Sequence, residues 1–167
     1  VNLDHIYRLY MKEIYLYLYR LTRNEKQAED LTQDTFTRAY LYLDDYQGEK
    51  VRPWLFKVAY HAFVDWHRKH RAQIPMDPIV LQEMVEHADD RGSPEKQLLE
   101  KEEWQTFLKL LDLLSEKQKQ VLLLRYKHHF TYAEIGEVLD VTAADVKITV
   151  YRGRQKLQGI WKERMNK

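Results

Sequence analysis

The chain's 167 residues suffice for one ordinary domain or two small ones, and with 44% hydrophobic and 32% charged residues it is not a disordered tail. Five Gly and four Pro disfavour a turn-rich β fold, zero Cys excludes disulfides and thiolate chemistry, and no apolar run approaches the roughly 18 residues of a membrane span. The net charge of +1 conceals balances of +2 over residues 1–71, −6 over 72–114 and +5 over 115–167, so two basic blocks flank an acidic middle. That pattern suits an anionic partner touched at two separate places, in a soluble, cytoplasmic, helix-rich protein.

Leu3, Ile6, Tyr7, Tyr10, Ile14, Tyr17, Leu18 and Leu21 recur at three- and four-residue steps, which predicts an amphipathic helix. Asn24, with Gln27 in capping-box position, opens a second helix whose inward stripe is Ala28, Leu31, Thr35, Ala39 and Leu43. A polar stretch from Asp44 to Arg52 ends at Pro53, which is suited to the first turn of a third helix, Trp54 to about His70. Its stripe is Leu55, Val58, Ala59, Ala62 and Trp66.

Residues 72–94 lose this periodicity and contain Pro75, Pro78, Pro94 and Gly92, a linker with some helical character around Ile79–Val85. Ser93 and Pro94 open a helix to about Leu114, with Leu98, Phe107, Leu108 and Leu111 inward. Ser115 with Gln118, and Thr131 with Glu134, form capping boxes, and Thr142 with Asp145 repeats the arrangement with a shorter acid. The helices so marked are 116–128, 132–139 and 143–157. A connection of only Asp140–Val141–Thr142 between the last two describes a helix-turn-helix. There is no strand signal and no internal repeat.

Three surfaces carry chemistry. In the last helix Ala143, Ala144, Lys147, Ile148 and Tyr151 project from the leading turns, with Arg152 and Arg154 as phosphate partners, while Val146 and Val150 face the core. Residues 50–71 hold six Lys/Arg against Asp65 alone, interleaved with Trp54, Phe56, Tyr60, Phe63 and Trp66. Cations beside rings suit single-stranded nucleic acid, although Leu55, Phe56, Ala59 and Trp66 are assigned to packing. Residues 24–49 carry seven acids and two bases, with Asp30, Gln33, Asp34, Thr37 and Leu41 opposite the buried stripe, a face for a protein partner. P-loop, G-x-G-x-x-G, H-E-x-x-H and G-x-S-x-G patterns are all missing, so no catalytic residue, cofactor, metal site or small-molecule substrate is expected.

Taken together these segments resemble the extracytoplasmic-function (group 4) sigma factors of bacterial RNA polymerase. Ala28-Glu29-Asp30-Leu31-Thr32-Gln33-Asp34-Thr35-Phe36 resembles region 2.2, and Pro53-Trp54-Leu55-Phe56-Lys57-Val58-Ala59 with Asp65 and Arg68 resembles regions 2.3–2.4. Leu114-Ser115 through Arg125-Tyr126, Thr131 through Leu139, Val146-Lys147 and Tyr151 through Leu157 resemble region 4. The flavour is that of Bacillus-type envelope-stress members.

The resemblance implies an all-α fold of two small helical domains: region 2 at 1–71, a flexible linker at 72–94 and region 4 at 95–167. It implies that Asp30, Gln33, Asp34 and Arg38 meet the β′ clamp helices of core RNA polymerase, region 4 engaging the β flap. Gln47, Gly48, Glu49, Lys50, Val51 and Arg52, with Lys57, His61 and Arg68, are implied to hold the melted −10 element. Ala143, Ala144, Lys147, Ile148, Tyr151, Arg152 and Arg154 are implied to read the −35 duplex. An anti-sigma factor, often membrane-anchored, is the implied inhibitor. The family often has Asn at the position of His61, Thr at Asp145, and Ser and Arg at Ile148 and Thr149. Rival readings are a stand-alone helix-turn-helix regulator, a metal hydrolase centred on His61 and Asp65, and a helical adaptor indifferent to DNA.

Overall fold

A computed structural model describes residues 2–43, 50–70 and 105–166, and among these the ordered elements are helices without a strand. In chain order they are α1 (Leu3–Thr22), α2 (Glu25–Tyr42), α3 (Val51–Lys69), α4 (residues 105–111), α5 (Glu116–Tyr126), α6 (Tyr132–Leu139) and α7 (Ala143–Met165). They belong to two compact units, each considered by itself. The linker 72–94 and the helix start at Ser93–Pro94 lie outside the described residues.

The first unit packs α1, α2 and α3 together. The Asn2 and Asn24 side chains accept N–H bonds from Asp4 and Gln27 at 2.9 and 3.0 Å, filling donors that a helix start leaves empty. Between α1 and α2 the chain reverses through Arg23 in the left-handed region, φ 57°, whose N–H bonds Tyr19 O at 2.7 Å. Ile14, Tyr17, Leu18, Leu21, Leu31, Leu55, Phe56 and Phe63 fill the core. Tyr17 meets Phe56 at a 5.0 Å centroid distance, and Tyr7 sets its ring edge-on to Phe36 at 4.9 Å.

The stripe of α2 is only weakly apolar, and it buries Thr32 and Thr35 beside Ala28 and Ala39. Both hydroxyls donate within the helix, to Ala28 O at 2.6 Å and Leu31 O at 2.7 Å, so no polar group is buried unpaired by them. The third helix begins at Val51, two residues before Pro53, rather than at Trp54. Pro53 is still in the first turn, where its missing N–H deprives no carbonyl of a partner. Val58 and Trp66 are half-buried, and Phe56 and Phe63 complete the inward stripe instead.

In the second unit both capping boxes form with their reciprocal bonds, Ser115 with Gln118 and Thr131 with Glu134. Thr142 accepts the Asp145 N–H at 3.1 Å. The fifth helix ends at Tyr126, two residues earlier than the sequence suggests, because the chain turns through His129 at φ 60°. The last helix instead continues eight residues past Leu157. Gly153, inside that helix, lies against α5, where an added Cβ would meet Leu122 at 3.1 Å. It is a packing glycine that lets two helices approach.

Between α6 and α7, Asp140 takes the left-handed conformation at φ 60° and the Val141 N–H bonds Gly136 O at 3.0 Å. A Cβ on Gly136 would lie 2.7 Å from Val141 O, a backbone atom with no room to yield. Gly136→Ala is therefore expected to destabilise this unit by about 1–3 kcal/mol, seen as a lower unfolding midpoint. Gly159→Ala, where nothing lies within 4 Å, is expected to raise it through helix propensity alone.

Candidate nucleic-acid interface

On α2, Asp30 and Gln33 are exposed and Asp34 is half-exposed, and the same helix ends in exposed Tyr40, Leu41 and Tyr42. Arg38, one turn beyond Asp34, turns toward α3. Its Nε donates to Asp34 Oδ1 at 3.1 Å, and one terminal nitrogen donates to Asp65 Oδ2 at 3.1 Å. Arg68 donates to the other oxygen of Asp65 at 3.3 Å. Burial by itself lowers the Arg38 pKa, but its bonds to Asp34 and Asp65 and their charges outweigh this and the net displacement is upward. Four charges thus run in series from the acidic helix to the basic one, and Asp65 is engaged by two arginines.

Lys50, which caps the start of α3, is exposed, as are His61 and Arg68 on the helix, and Val51, Arg52 and Lys57 are half-buried. Arg52 makes a two-pronged contact to Glu13 of α1 and stands 5.5 Å from the centre of the Phe56 ring. Gln47, Gly48 and Glu49 lie outside the described residues. Of the interleaved rings, Phe56 and Phe63 belong to the core, whereas Trp54, Tyr60 and Trp66 stay half-buried. Trp66 stacks on His70 at 5.3 Å and 15°, and Tyr60 lies 6.0 Å from the His61 ring.

In the second unit Val146 and Val150 are buried, which turns Ala143, Ala144, Lys147, Ile148, Tyr151 and Arg152 to solvent. Ile148 and Tyr151 are 49% and 61% exposed, a high figure for apolar side chains with no packing role. Arg154 is exposed with its guanidinium 6.0 Å from the Tyr126 ring centre, so it leans back along α5. Arg125 braces the approach to the motif by donating to Phe130 O at 2.9 Å and lying 4.7 Å from the centre of the Tyr132 ring.

Sequence periodicity gave no hint of three contacts: Arg38 to Asp65, Arg52 to Glu13, and Lys117 to Asp145. The partners are 27, 39 and 28 residues apart, beyond any helical repeat. Only the excess of opposite charge on neighbouring helices points to the first.

Residues 6–73 match the family model "Sigma-70 region 2", and residues 104–157 match "Sigma-70, region 4". Over 166 residues the chain is 31% identical to the ECF RNA polymerase sigma factor SigM of Bacillus subtilis (strain 168), covering 99% of each chain. The chain belongs to the extracytoplasmic-function sigma factors. Another relative is the RNA polymerase sigma factor YlaC of the same organism, 30% identical over 94% of this chain and 90% of that one. The fold is shared with the sigma factor RpoE of Bartonella quintana, solved in complex with the anti-sigma factor NepR (TM-score 0.69, 22% identity, 95% of this chain and 96% of that one). In this sigma factor the region 2 match begins inside α1 and covers α2 and α3, and the region 4 match ends inside α7, which continues to Met165.

The shared guanidinium has a measurable signature. A double-mutant cycle of Arg38→Met and Asp65→Asn, read by urea unfolding, is expected to give a coupling of about 0.5–1 kcal/mol, the range of partly solvated pairs.

Proposed function

We propose that this sigma factor grips core RNA polymerase with the outer face of α2 and positions it on promoter DNA through α3 and α7. The observation that carries this reading is the separation of charge by face. Asp30, Gln33 and Asp34 stand outward on α2, while exposed cations occupy α3 and the leading turns of α7. Asp30, Gln33, Asp34 and Arg38 form the polymerase contact, with Arg38 also bracing α3. Lys50, Val51, Arg52, Lys57, His61 and Arg68, with the Gln47–Gly48–Glu49 segment, hold the melted −10 strand. Ala143, Ala144, Lys147, Ile148, Tyr151, Arg152 and Arg154 engage the −35 duplex.

The division is 1–71 for region 2, 72–94 for the linker and 95–167 for region 4. Opening the −10 duplex costs a few kcal/mol per unstacked step, which contacts to extruded bases and phosphates offset. The protein works by binding and directing another enzyme's catalysis, and is not itself an enzyme. It acts in the cytoplasm; among the described residues no helix is long and apolar enough to cross a membrane. The RpoE–NepR complex supports control by an anti-sigma factor, since the two chains share a fold.

The deciding experiment mixes the chain with core polymerase and genomic fragments and maps transcript starts. A shared pair of upstream elements is expected, and scattered starts would refute the reading. Asp34→Lys is expected to weaken polymerase association at least tenfold while leaving helical content intact. Arg152→Ala is expected to weaken promoter binding by the holoenzyme and to lower its salt slope by about one unit, the effect of one lost phosphate contact.

A further inference from the structure

Reading a base edge takes hydrogen-bonding groups, and the leading turns of α7 hold few. Residues 143–148 are Ala, Ala, Asp, Val, Lys and Ile, so only Asp145 and Lys147 carry polar side chains there. The Thr142 hydroxyl is engaged as acceptor by the Asp145 N–H. If this face reads the −35 duplex, residues 143–148 bring to it one acceptor and one donor.

Asp145 is held from a second helix. Lys117 of α5 donates its Nζ to Asp145 Oδ2 at 2.7 Å, while the Asp145 side chain remains 38% exposed. A bare carboxylate beside DNA phosphates is repelled. One paired with an ammonium brings no net charge, and its second oxygen keeps its acceptor capacity. In the major groove guanine offers acceptors, and thymine an acceptor and a methyl group. Adenine offers a donor beside the N7 acceptor, which opposes a carboxylate, whereas cytosine offers its N4 amino donor without a competing acceptor. We propose that Asp145 is a base-reading residue of the −35 contact that selects cytosine, and that Lys117 is the positioning residue that holds its carboxylate.

This inference rests on the sigma-factor reading, and the test separates the two. Holoenzyme reconstituted from core polymerase and the full chain is used to select duplex fragments randomised across the −35 element, and binding is measured at several salt concentrations. The parent chain is expected to enrich cytosine at one position of one strand by about tenfold, within the range of a good base contact. Asp145→Ala makes that position degenerate, leaves the others unchanged and steepens the salt dependence, because Lys117 becomes free to meet phosphate. Asp145→Asn keeps the side-chain size and moves the preference toward adenine, whose edge matches a carboxamide. Lys117→Met weakens binding to all fragments and blurs the cytosine preference, and Lys117→Arg restores both.

Unchanged base frequencies in Asp145→Ala, cytosine retained in Asp145→Asn, or an equal loss at every position would overturn the assignment. Failure of the parent holoenzyme to enrich any pair of elements would overturn the sigma-factor reading itself.

Discussion

One guanidinium holds the acidic and the basic helix of the first unit in a fixed rotational setting. The inward face of α2 is made of alanines and threonines beside Leu31 and Phe36, and α2 packs against both α1 and α3. Small side chains interlock less than large ones, so polar contacts help to register such a face. Arg38 makes them by bonding Asp34 on its own helix and Asp65 on the next. An analogous clasp, Arg52 to Glu13, fixes the start of α3 against α1. What the outer surfaces present is therefore set by the core beneath, with ion pairs between helices refining it.

The second unit meets the same requirement by other means. Two of its helices, α5 and α6, are short, so unpaired end groups are a large share of their backbone, and each start from α5 onward is closed by a Ser or Thr side chain. Left-handed residues set the turns, His129 before α6 and Asp140 after it. Gly136 and Gly153 remove the side chains that would hold the backbone of the next turn, or the next helix, away. With these in place α5 packs directly on α7, and Leu122, Ile135, Val146 and Val150 are all buried.

The helical framework was legible because its signals are local. Caps act over three residues, amphipathic stripes over three or four, and both survive as plain spacing in the sequence. The misplacements have physical causes of the same scale. Pro53 is tolerated anywhere in a first turn, so it marks the start of α3 only to within two residues. The helix expected to end near Leu157 continues to Met165, with Gly153 and Gly159 both accommodated inside it. Among site residues, outward positions such as Asp30 and Lys147 followed from periodicity. The partners of Arg38, Arg52 and Asp145 did not, because contacts between helices tens of residues apart depend on where the fold brings them.

The packing of Gly153 against Leu122 has a consequence for how such a protein changes over evolutionary time. Because that contact and the two valines fix the azimuth of α7 from one side, the opposite side is free of folding duties. On the proposed −35 role of this face, exchanges at Ala143, Ala144, Ile148 or Tyr151 would alter what the surface recognises at little cost to the scaffold. A duplicated copy of this chain is thereby able to drift toward a different set of target genes while keeping the same architecture.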